Sequence, residues 1–109
     1  MSKSNIKTSG FCLAKRKELI GDDFYEIKQF DDLTIAVLCD GVGSATQGAL
    51  AAKKVTLHII NNFKNLPKAW SVEKAIKEFI KSINTILYSQ SIQEYERPEY
   101  ITTVTVCII

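Results

Sequence analysis

The sequence predicts an α/β domain of the segregated, α+β type: an antiparallel β-sheet with two antiparallel helices packed on it. Three observations predict it. Alternating, β-branched and aromatic runs fill the early part of the chain, through Cys39. Beyond the glycine-studded "DGVGS" the apolar period changes from two to that of a helix, and two helical stretches follow in succession. A final β-branched run, "ITTVTVCII", returns to strand character.

Taken in order, "SGFCLAK" (Ser9 to Lys15) reads as a short first strand after a polar leader. Gly21 opens a second, "DDFYEIKQF", with rough alternation. Asp31 and Asp32 form a turn, and Leu33 to Cys39 a third strand. Leu33, Ile35, Val37 and Cys39 fill one face of it, while Ala36 and Leu38 fill most of the other. A strand apolar on both sides is expected to be central and covered on both faces.

From about Ser44 or Thr46, Ala49, Ala52, Val55, Ile59, Ile60 and Phe63 recur at helical spacing, ending near Asn65 before Pro67. Either Ser44 or Thr46 can cap this helix. His58, beside the stripe and without a partner motif, reads as structural. Ser71 caps a second helix, Glu73 suits its positive end, and Trp70 can staple its entry. Val72, Ile76, Phe79, Ile83, Ile86 and Leu87 form its stripe through about Gln90. A polar connection, "SQSIQEYERPEY", leads to the last strand.

Composition narrows the classes. The 109 residues are one domain or part of one, 46% hydrophobic and 24% charged, which excludes a disordered chain. A net charge of +2 makes no case for nucleic acid or anionic membrane as partner, and "KRK" (Lys15 to Lys17) reads as a solvated surface run. The start has no apolar h-region and no run reaches membrane-spanning length, so the expected location is cytoplasmic. Cys12, Cys39 and Cys107 are odd in number and far apart in apolar surroundings, which predicts three buried, reduced thiols. The chain stops inside an apolar run at Ile109, so the expectation is a piece of a longer protein, with exposed sheet edges open to self-association.

The chemistry lies in an acidic corner. With Asp31 and Asp32 at a hairpin tip, Asp23 faces Asp40 and Asp22 faces Gly41; an odd loop would put Asp22 across from Asp40 instead. Either way carboxylates from two adjacent strands meet at one end of the sheet. Facing like charges are unfavourable, so a proton or a cation must relieve them. An oxygen-only donor set suits Mg²⁺ or Mn²⁺ better than zinc. Taken alone, "GDD" can be a turn and "DGVGS" a strand-to-helix turn whose glycines supply positive φ. A dinucleotide site is the competing reading, but Gly41, Gly43 and Gly48 miss the G-x-G-x-x-G spacing, and no P-loop Gly-Lys-Ser/Thr follows. A non-catalytic interaction module is the third.

"GDDFY", "LCDGVGS…GALAAKKV" and "YITTVTVCII" together resemble the metal-dependent serine/threonine protein phosphatases of the protein phosphatase 2C type. That family has a strand-borne acidic pair, then "DG(M/V)GG" with a small-residue helix, then a "GTT" strand. The resemblance runs from about Ser9 and covers the N-terminal portion of a single catalytic domain, here residues 1–109, within an α-β-β-α sandwich. It implies that Asp40 bridges two Mg²⁺ or Mn²⁺ ions and that the Gly41 carbonyl binds one. Asp22 matches the acidic ligand and Asp23 the neighbour that supports metal-bound water. A metal-activated water would attack a phosphoserine or phosphothreonine of a phosphoprotein substrate in line. Three departures stand out: Ser44 replaces the second glycine, and Glu18 stands where an arginine often holds phosphate, with Arg16 or Lys17 nearby. The later aspartates of the family lie beyond this chain, so the two-metal site is incomplete here and the 109-residue piece is expected to be inactive alone. A degenerate phosphatase-like module is the alternative.

Overall fold

In the computed structural model the described residues are 7–10, 21–30, 33–42, 45 and 47–109. Strands β1 (Asp23–Phe30) and β2 (Leu33–Asp40) form an antiparallel hairpin. Helices α1 (Gly48–Lys64) and α2 (Val72–Tyr95) follow, and β3 (Thr105–Ile108) returns antiparallel to β2. The strand order β1-β2-β3 puts β2 at the centre. Cys12, Arg16, Lys17, Glu18, Asp31, Asp32, Gly43, Ser44 and Thr46 lie outside the described residues, as does most of the expected Ser9–Lys15 strand.

The period-two pattern of β2 sorts its side chains. Ile35, Val37 and Cys39 point to the helices and are essentially fully buried. They meet Ala51, Ala52, Val55 and Ile59 of α1, and α2 packs along α1 through Ala75, Phe79, Ile83 and Leu87. Each fully buried Ile or Phe there contributes about 1.5–3 kcal/mol. Phe63 meets Phe79 edge to face at 5.2 Å, and Trp70 stacks obliquely on Phe79 at 6.0 Å, so the entry to α2 is pinned by aromatic contact. His58 bridges the helices through Nε2 and Ser82 Oγ at 2.8 Å, and burial pulls its pKa below the usual imidazole value.

Several expectations need correction. Among the described residues no helix or strand packs on the second face of β2, where Gly10 lies against Tyr25, and Leu38 is 50% exposed there. Cys107 is exposed for the same reason, since it pairs with Ala36 on that open face; Cys39 alone of the described thiols is buried. Helix α1 starts at Gly48, with Gln47 as N-cap and no side-chain cap. Helix α2 begins as predicted, Ser71 Oγ accepting the Lys74 N–H at 3.1 Å. It runs on through the "polar connection" to Tyr95, and Glu96 ends it in a left-handed conformation with φ 60°. Val72 and Ile86, read as stripe residues, are exposed; Ala75 takes the inward position instead.

Candidate metal centre

The hairpin register brings the open ends of β1 and β2 together with Asp23 directly opposite Asp40. The ladder's alternation sharpens this. The Thr103 N–H donates to the Asp40 carbonyl at 2.9 Å and the Val42 N–H to Ile101 at 2.9 Å, so even-numbered residues here bond towards β3. Gly41 does the reverse, its N–H donating to the Asp22 carbonyl at 2.9 Å. Asp23 and Asp40 are therefore a non-hydrogen-bonded pair, the kind with Cα atoms about 4.5 Å apart and the closer side chains. Both residues are exposed and share the sheet face opposite the helices, with Tyr25 and Leu38.

Gly41 and Gly48 lock the turn in place. A Cβ on Gly41 would lie 2.5 Å from the Gly48 carbonyl carbon and 2.7 Å from the Asp22 carbonyl oxygen, and closer still to the Gly48 oxygen. A Cβ on Gly48 would reach 3.0 Å from the Val42 backbone nitrogen and carbonyl carbon. No described glycine has positive φ, so these two serve close approach rather than turn dihedrals. Strand end, helix start and the chain before β1 thus touch backbone to backbone around Gly41.

The four predicted residues are placed unequally. Asp23 and Asp40 face one another and Gly41 sits beside them. Asp22, at the bend before β1, joins the corner through its carbonyl. Among the described residues no three of Asp, Glu, His and Cys are grouped to hold a metal ion. A facing carboxylate pair, all-oxygen donors and a turn too tight for any Cβ fit one side of a hard-cation site.

Sequence reasoning missed the third wall. Residues Glu99 to Thr103 run beside Asp40 to Val42, bridging at Gly41 and Thr102. Thr103 Oγ1 accepts the Asp40 N–H at 3.2 Å and lies 3.3 Å from the Asp40 carbonyl. That segment is held from α2: Ser91 Oγ, buried, accepts the N–H groups of Glu99 and Tyr100 at 3.1 and 3.0 Å. The Tyr100 hydroxyl donates to Glu94 at 2.7 Å, which, with burial, pushes its pKa up to about 12. Lys54 Nζ donates to Gln90 at 2.8 Å, and Gln47 Nε2 to the Tyr95 hydroxyl at 2.7 Å. Only the polar bias of "SQSIQEYERPEY" hinted at this clasp. Beneath the corner, burial pushes the Cys39 thiol up.

The class the fold defines is an α/β domain: an antiparallel sheet backed by two helices, with an acidic, oxygen-donor corner at one strand end. A family model, protein phosphatase 2C, matches residues 14–109, and the chain belongs to that family. One similar structure contains the phosphatase domain and a regulatory-domain fragment of the cell fate determinant SpoIIE from Bacillus subtilis. It has a TM-score of 0.61 and 21% identity over 88% of this chain and 25% of that one. The serine/threonine phosphatase Stp1 from Staphylococcus aureus has a TM-score of 0.62 and 25% identity over 94% of this chain and 45% of that one. The chain therefore spans less than half the length of either. Comparison with curated proteins gave no match.

Proposed function

We propose that this chain belongs to a metal-dependent protein serine/threonine phosphatase acting on phosphoprotein substrates. The observation that carries the reading is the facing Asp23–Asp40 pair beside a Gly41 that admits no side chain. Family membership and the likeness to a serine/threonine phosphatase support it. Asp40, the Gly41 carbonyl and Asp22 would hold Mg²⁺ or Mn²⁺, and Asp23 would orient water there. When bound, the ions supply an activated water nucleophile and offset charge on the phosphoryl oxygens.

The chain's own part is to hold two carboxylates at the end of a rigid hairpin, so that their repulsion favours a divalent cation. The alternation of β2 turns the main-chain groups of Gly41 towards β1, on the side of Asp22 and Asp23. Asp22, Asp23, Asp40 and the Gly41 carbonyl would supply one side of the donor set.

The test is Asp40→Ala in the full-length protein, with Mn²⁺-dependent phosphate release from a phosphothreonine peptide as readout. Release should fall to background. Unchanged turnover would remove Asp40 from the site, and absence of release from the wild-type protein would favour a degenerate, non-catalytic module.

A further inference from the structure

We propose that Thr103 is a positioning residue for Asp40, a role that rests on the metal-site reading above. In a regular antiparallel pair, Asp40 and Thr103 would exchange two main-chain hydrogen bonds. Only one is present, from the Thr103 N–H to the Asp40 carbonyl at 2.9 Å. The other is replaced: the Asp40 N–H goes to Thr103 Oγ1 at 3.2 Å, and the same hydroxyl reaches the Asp40 carbonyl at 3.3 Å. The Thr103 carbonyl, which the ladder would have used, accepts the Thr102 hydroxyl at 2.9 Å.

The consequence shows in the sheet. Pairing of β2 with β3 stops at Leu38 and Thr105 and resumes only as an isolated bridge at Gly41 and Thr102. The register on both sides of the gap is the same, so no residue is inserted; the Thr103 hydroxyl takes the Asp40 N–H and the Thr102 hydroxyl takes the Thr103 carbonyl where the ladder bond would run. The Thr103 hydroxyl thus holds the Asp40 N–H and shares the Asp40 carbonyl with the Thr103 N–H, on the side away from Asp23. The Asp40 carboxylate projects from a backbone whose position depends on that hydroxyl.

Valine preserves shape and strand propensity but removes the hydroxyl. The Asp40 N–H then either loses its acceptor or draws the strands into the regular ladder, and both outcomes move the Asp40 Cα relative to Asp23. Supporting groups of this kind typically change metal affinity by about 10–100-fold.

Mn²⁺ titrated into the full-length protein, followed by loss of the free-ion electron paramagnetic resonance signal, tests this. Thr103→Val should bind Mn²⁺ about tenfold more weakly. Its half-saturating Mn²⁺ for phosphate release should rise equally, with kcat at saturating metal retained. Thr103→Ser should restore wild-type binding within about twofold. Wild-type affinity in Thr103→Val, with binding abolished in Asp40→Ala, overturns the positioning role and leaves the metal site standing. Equal weakening in the Val and Ser variants also overturns it, because packing rather than the hydroxyl would then matter. Wild-type binding in Asp40→Ala overturns the site and this proposal together. Should the valine variant fail to fold, Thr103→Ala must show the same loss for the proposal to hold.

Discussion

Gly41→Ala gives the sharpest stability test of the corner. The added methyl would stand 2.5 Å from the Gly48 carbonyl carbon and 2.7 Å from the Asp22 carbonyl oxygen, where ordinary contact begins at 3.4 Å. Something must therefore move by close to 1 Å, and both obstacles are main chain. One belongs to the first turn of α1, the other accepts the Gly41 N–H. Overpacking costs about 1–3 kcal/mol where side chains can yield, so an upper-end value of about 3 kcal/mol follows when backbone must yield. That is a large part of a marginal stability of about 5–15 kcal/mol, and it should lower Tm by about 10 °C. Thermal melting by far-ultraviolet circular dichroism measures it, with Mn²⁺ titration on the folded fraction. A Tm within about 2 °C of wild type would refute the argument that Gly41 is chosen for close approach.

Two titrating groups make further tests. His58 is held below its ordinary pKa by burial, so the unfolded chain binds its proton more readily; its contribution is present above about pH 6.5 and lost as pH falls through the folded value. Stability measured by urea unfolding from about pH 7 to about pH 5 should fall less steeply in His58→Gln than in wild type; identical slopes would refute the assignment. Tyr100, pushed up to about 12 chiefly by its hydrogen bond to Glu94, should ionise closer to 10.0 in Glu94→Gln. Tyrosinate absorbance follows this directly.

Residue types with local consequences were legible in the sequence. A hairpin tip at Asp31 and Asp32 placed Asp23 opposite Asp40 for an even loop and Asp22 opposite Asp40 for an odd one, and the strands pair in the first of these registers. Ser71 declared the start of α2 through a cap that depends only on its neighbours. What escaped depends on partners distant in sequence. Ser91, in a polar run, looked like loop; it is buried because Glu99 and Tyr100 send it two N–H groups, and this carries the helix on to Tyr95. Thr103 read as one more β-branched residue, since nothing local shows that its hydroxyl turns to Asp40. Gly41 was read for dihedral freedom, whereas tight backbone packing is what requires it.

The contact between Asp40 and Thr103 joins residues 63 apart, whereas Asp23 and Asp40 meet across a short hairpin. For a flexible chain the length term alone makes that closure cost about 4 kcal/mol. The two helices between them shorten the effective loop, because α1 and α2 fold back on each other before β3 is reached. Order in the helical pair therefore lowers the entropic cost of holding Asp40 in place. A change in the α1–α2 seam, far from any carboxylate, bears on the corner through chain statistics as well as through contact.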